Sequence, residues 1–105
     1  MKLYTIDSPG KNQNLHDIVV KIKPILLKAG VTRSSLFGSI VRGDDTRDSD
    51  VDILIDTPAG MSLFDLVRLQ RRLAESLGKK VDLLTYNSVH PLLKDYIERD
   101  QLRIL

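Results

Sequence analysis

The sequence predicts an α+β fold, a small mixed β-sheet flanked by helices, and three observations predict it. Segments 15–29 and 63–77 repeat apolar residues at the helical period. Segments 31–37, 51–56 and 80–85 are short, apolar and bounded by turn residues, as strands are. With a last helix at 91–99, the order is helix–strand–strand–helix–strand–helix, which packs helices against a sheet within one layered unit. At 105 residues the chain is expected to be one domain, with its core at about 14–104.

Each element has a local reason. Leu3, Tyr4 and Ile6 leave two readings open, a short edge strand or no element, and DSPGKNQN at 7–14 reads as a turn. Leu15, Ile18, Val19, Ile22, Ile25, Leu26 and Ala29 make one helical stripe, with Asn14 suited to its N-cap and Gly30 to its end. Pro24 inside that stripe removes a backbone bond and predicts a kink. Val31–Phe37 leads into Gly38-Ser39 and a short helical turn over 39–43. In the next strand Val51, Ile53 and Ile55 share one face, with Asp50, Asp52 and Leu54 on the other. Ser62 and Asp65 form a capping-box-like pair before the second helix, and Gly78 ends it. Asp82 stands in the middle of an otherwise apolar strand, and residues 102–105 suggest a short terminal strand.

Composition narrows the function. Apolar residues at 42% and charged residues at 29% describe a globular chain. No apolar run is long enough for a membrane span, and residues 1–14 lack the apolar core of a signal peptide. There is no cysteine, which excludes thiolate metal sites and a cysteine nucleophile and makes a reducing cytoplasm the simplest location. Sixteen basic against fourteen acidic residues argue against a module built on phosphate contacts with nucleic acid. The charge is concentrated, however: residues 44–56 hold six aspartates and one arginine, a net −5. Such a run repels itself unless it is solvated or neutralised by a cation.

Within that run, Asp50 and Asp52 share a strand face with Cα atoms about 7 Å apart. Two carboxylates so close must take up a proton or bind a cation, and hard divalent ions such as Mg²⁺ suit them. Asp82 is the third candidate: an unpaired mid-strand carboxylate is costly, and its bland reading is pairing with Lys79 or Lys80. If its strand lies beside the first, three carboxylates converge and could hold two metal ions for phosphoryl transfer. Alone, Asp-x-Asp is a common surface pair and Gly-Ser a common turn. Together, Gly38-Ser39 eleven residues before Asp50 reads as a phosphate cradle facing a metal site. His16 and His90 lack metal-ligand spacing, and no phosphate-binding P-loop motif is present.

Gly38-Ser39-Ile40-Val41-Arg42-Gly43 followed by Ser49-Asp50-Val51-Asp52 resembles the signature of the DNA polymerase β-like nucleotidyltransferases. With Val81-Asp82-Leu83 it is most similar to the minimal nucleotidyltransferase branch, over about residues 14–104. The resemblance implies the nucleotidyltransferase fold and an ATP-using transferase with two Mg²⁺ ions. It implies an antitoxin of the prokaryotic cytoplasm, paired with a HEPN-domain RNase toxin and placing AMP on a toxin tyrosine. By the same resemblance Asp50 and Asp52 ligate both metals, and Asp82 ligates the catalytic one and helps deprotonate the acceptor. Gly38 and Ser39 hold the nucleotide phosphates. Arg42 either touches the triphosphate or pairs with Asp44, Asp45 or Asp48; Ser49 shapes the turn, and Asp44, Asp45, Asp48 and Asp56 form a solvated rim.

About 105 residues leave little room for an acceptor-binding domain, so the acceptor surface is expected on another chain. Membrane and direct nucleic-acid partners are not expected. Two rival readings stand beside catalysis on a partner protein. One is a non-catalytic antitoxin that masks the toxin by binding, and the other is a transferase acting on a small molecule.

Overall fold

The computed structural model describes residues 2–3, 13–43, 49–89, 91–92 and 101–105. Strands β1 (Lys2–Leu3), β2 (Ser34–Phe37), β3 (Val51–Ile55), β4 (Val81–Thr85) and β5 (Leu102–Arg103) form one sheet in the order β1-β5-β2-β3-β4. The sheet is mixed: β2 runs antiparallel to β3 and β5, while β3 and β4 are parallel, as are β1 and β5. Three helices accompany it, α1 (Gln13–Lys28), α2 (Ser39–Arg42) and α3 (Leu63–Leu77), with a 3-10 turn at Tyr86–Ser88. The α+β expectation is borne out.

Periodicity explains the packing. Ile18, Val19, Ile22 and Leu26 of α1 and Leu69 and Leu73 of α3 are buried against Leu36, Val51, Ile53, Ile55, Val81 and Leu83 of the sheet. Each such side chain contributes about 1.5–3 kcal/mol by leaving water. Both long helices therefore cover the same sheet face. The opposite face carries Asp52, Leu54 and Asp82, because strand side chains alternate.

Element ends follow their caps. Ser62 N–H donates to Asp65 Oδ2 at 3.0 Å and Asp65 N–H donates to Ser62 Oγ at 3.1 Å, completing the expected capping box. These bonds hold the Asp65 carboxyl below the usual aspartate range. Gly78 ends α3 at φ +63° with its N–H on the Ala74 carbonyl at 2.8 Å. One expectation shifts. Helix α1 starts at Gln13, so Asn14 lies inside it, and the helix continues through Pro24. The bond that Pro24 cannot donate would fall on the Val20 carbonyl, and both residues are exposed, so water can serve that carbonyl. The short strand expected at 102–105 is β5, and it lies between β2 and the two-residue β1. Of the helix expected at 91–99, Pro91 and Leu92 are helical and the rest lies outside the described residues.

Candidate active site

Register brings the acids together. Asp52 of β3 pairs with Asp82 of β4 as direct parallel neighbours, and with Phe37 of β2 on its other side. Adjacent strands lie about 4.8 Å apart, so both carboxylates project from one face within reach of each other. They lie within hydrogen-bonding reach, and that bond favours the protonated form of Asp52. Accordingly the Asp52 carboxyl is pushed up to about 6. Burial is the leading cause, followed by the Asp82 and Asp50 charges and the Asp82 hydrogen bond, with Arg42 pulling the other way.

Phe37 hands the chain to Gly38, which turns at φ +81° and ψ −151°, a conformation open to glycine and almost no other residue. A Cβ on Gly38 would stand 2.5 Å from Asp52 Oδ2. The glycine thus does two things: it starts α2 and admits the carboxylate against the backbone. Helix α2 is closed by the Val41 and Arg42 amides on the Gly38 carbonyl, both at 3.1 Å, and by Gly43 on Ser39 at 2.9 Å. The Ser39 and Ile40 amides, being first in the helix, have no carbonyl within it to take them. Arg42, on the last turn of α2, acts on Asp52 through its charge.

Asp50 behaves differently from the other two acids. Its Oδ2 lies 3.7 Å from Lys80 Nζ, in an ion pair at the N-terminal end of β4. Lys80 therefore serves Asp50 and not Asp82, whose partner is Asp52. Among the described residues no three acidic or histidine side chains are gathered as a preformed metal cage. The donor set nevertheless fits a hard divalent cation: Asp52 and Asp82 on adjacent strands and Asp50 just before β3, with the Asp52 carboxyl raised above its ordinary range by burial and by the other two charges. A cation would offset the charge that the three carboxylates place together and would compete with Lys80 for Asp50.

Asp56, expected on a solvated rim, pairs with Arg33 at 3.8 Å. The Arg33 guanidinium also lies 4.1 Å above the Tyr86 ring, and Tyr86 Oη is 2.7 Å from Ser35 Oγ. Sequence reasoning missed this group, because nothing in the spacing of 33, 35 and 86 links them before the strands are paired. A hollow of about 450 Å³ lies between the end of α1 and α3, lined by Ala29, Pro58, Met61 and Arg72; none of the three acids lines it. Asp44, Asp45, Asp48 and His90 lie outside the described residues.

The chain belongs to the nucleotidyltransferase domain family, whose sequence model matches residues 19–103. It is 54% identical over 92 residues to a protein of Methanocaldococcus jannaschii provisionally named a protein adenylyltransferase, spanning 88% of this chain and 99% of that one. It is 40% identical over 81 residues to protein adenylyltransferase MntA of Thermococcus cleftensis, spanning 77% and 78% of the two chains. One solved structure, provisionally described as a minimal nucleotidyltransferase, matches at TM-score 0.72 and 28% identity over 88% of this chain and 97% of that one. A crystal structure of a toxin–antitoxin with AMP-PNP matches at TM-score 0.73 and 25% identity, over 83% and 72%. The family read from the Gly-Ser and Asp-x-Asp motifs is thereby borne out, and with it the enzyme class, a nucleotidyltransferase.

Proposed function

We propose that this chain transfers AMP from ATP to a tyrosine hydroxyl of a HEPN-type toxin and so acts as the antitoxin of the pair. The observation that carries this reading is the Asp52–Asp82 register with Gly38 closed against Asp52. The names of the relatives, protein adenylyltransferases, support a protein acceptor. The toxin–antitoxin neighbour holding an ATP analogue supports both the partner and the nucleotide.

In this reading Asp50 and Asp52 hold two Mg²⁺ ions and Asp82 holds the catalytic one. The bound ions would neutralise the carboxylates and the charge that develops on the phosphate oxygens. Gly38 and Ser39 seat the phosphates through the amides that open α2, and Arg42 adds a positive charge on the same side. The acceptor oxygen attacks the α-phosphorus; a new O–P bond forms, the bond to the β-phosphate breaks and pyrophosphate leaves. The hydroxyl proton passes to Asp82. One domain of about 105 residues provides the nucleotide half of the reaction, and the partner provides the acceptor. We place the pair in the prokaryotic cytoplasm; no helix among the described residues is long and apolar enough to cross a membrane.

The test is mass spectrometry of the toxin after incubation with this chain, ATP and Mg²⁺. A mass increase of one or more AMP units on a toxin tyrosine, absent with Asp50→Asn or Asp52→Asn, is expected. Neutralisation of the toxin by those variants without any mass change would establish masking instead.

A further inference from the structure

The ion pair between Lys80 and Asp50 stands at the point where the site must load its cation, and the rest of the molecule explains neither partner. Lys80 immediately precedes β4, two residues before Asp82, and its side chain is 72% exposed against 38% for Asp50. A lysine so exposed has no packing reason to lie there. What draws it is the concentration of negative charge: Asp52 and Asp82 are direct neighbours across β3 and β4, and Asp50 adds a third carboxylate two residues before Asp52. Water-exposed ion pairs are weak, between about 0 and 1 kcal/mol, so this one is readily exchanged for a stronger cation.

We propose that the Lys80 ammonium is a built-in counter-ion that holds Asp50 until a divalent cation displaces it, and so sets the cation concentration at which the site fills. The inference rests on the reading of Asp50 as a cation ligand. Three consequences follow from the geometry. The ammonium and the incoming ion compete for the same carboxylate, so occupation by one weakens the hold of the other. The released ammonium stays tethered near the ion and repels it, which weakens binding further. Replacing Lys80 by a neutral residue removes both effects, whereas arginine preserves them.

The experiment is a titration of the free chain with Mn²⁺ alone, followed by the loss of the free-ion electron paramagnetic resonance signal. It compares the unaltered protein with Lys80→Gln, Lys80→Arg and Asp52→Asn. Lys80→Gln is expected to bind Mn²⁺ about three- to ten-fold more tightly, from one charge removed near a doubly charged ion in a largely aqueous setting. Lys80→Arg should match the unaltered protein, and the gain in Lys80→Gln should shrink in high salt, where screening shortens the reach of the charge. Equal or weaker binding by Lys80→Gln, with the unaltered protein binding normally, overturns the proposal. Failure of the unaltered protein to bind Mn²⁺, or normal binding by Asp52→Asn, would instead overturn the assignment of the metal site itself.

Discussion

Asp52→Asn should make the protein more stable while abolishing AMP transfer, and the size of the gain can be worked from the site. The Asp52 carboxyl is raised from 3.8 to about 6. At 1.36 kcal/mol per unit, the charged form therefore costs the fold up to roughly 3 kcal/mol at neutral pH. Asp52 is only part-buried, and water screens its neighbours, so about 1–1.5 kcal/mol is the realistic gain. The sign follows from proton binding. Between the two values the folded state holds a proton that the unfolded chain has lost, so stability falls as pH rises through about 6. Asparagine has no charge to lose, and its amide can still donate to Asp82. Urea unfolding monitored by circular dichroism, in chelator, should thus show the variant ahead at neutral pH and the difference closing toward about pH 4. Millimolar Mg²⁺ should raise the unaltered protein toward the variant, because binding to the folded state stabilises it. A variant equal to or less stable than the unaltered protein at neutral pH, or a difference that ignores pH, would refute the account of the acid pair.

Further outcomes follow from other contacts. Gly38→Ala places a Cβ 2.5 Å from Asp52 Oδ2 in a backbone conformation reserved for glycine, so a loss of about 1–3 kcal/mol in urea and a more than ten-fold drop in AMP transfer are expected. Leu73→Ala empties a fully buried position and should cost about 2–5 kcal/mol, leaving transfer unchanged where the protein remains folded. Ser62→Ala breaks the capping box of α3 and should cost about 1 kcal/mol by thermal melting. The Asp65 carboxyl in the same box is held below its usual range, so its stabilising effect is present at neutral pH and lost as pH falls through its folded value.

How legible the fold was depended on whether a cause is local. The stripe Ile18–Ile22–Leu26 gave α1, and Ser62, Asp65 and Gly78 gave the ends of α3 to the residue; its buried stripe was read through Leu63, Leu66, Val67, Leu73, Ala74 and Leu77, whereas Leu63 and Val67 are exposed and the unread Leu69 is buried. The alternation Val51–Asp52–Ile53 told which residues face the helices before any strand was paired. Pairing itself is non-local, so the C-terminal strand was legible as a strand while its place between β1 and β2 was not. The site divides in the same way. Asp50, Asp52 and Gly38-Ser39 are near in sequence and visible as a motif, and Asp82 was visible as a carboxylate out of place in an apolar strand. That Lys80 serves Asp50, and that Tyr86 reaches Ser35 across 51 positions, depends on the order of strands and was not readable.

The Ser35–Tyr86 contact shows how one non-local bond can be apportioned. Ser35 is fully buried, whereas Tyr86 is only partly so. Removing the tyrosine hydroxyl strands the Ser35 hydroxyl away from water, whereas removing the serine hydroxyl leaves Tyr86 able to turn to solvent. An unsatisfied buried hydroxyl costs about 1–3 kcal/mol, against about 0.5–1.5 kcal/mol for a hydrogen bond lost between groups that water can reach. Tyr86→Phe should therefore destabilise more than Ser35→Ala, and the double variant should be less damaged than the sum of the two. Denaturant midpoints of the three variants decide it. If Ser35→Ala proves the more damaging, the bond does not tie the end of β4 to β2, and the strand order beneath the acids is held by the core alone.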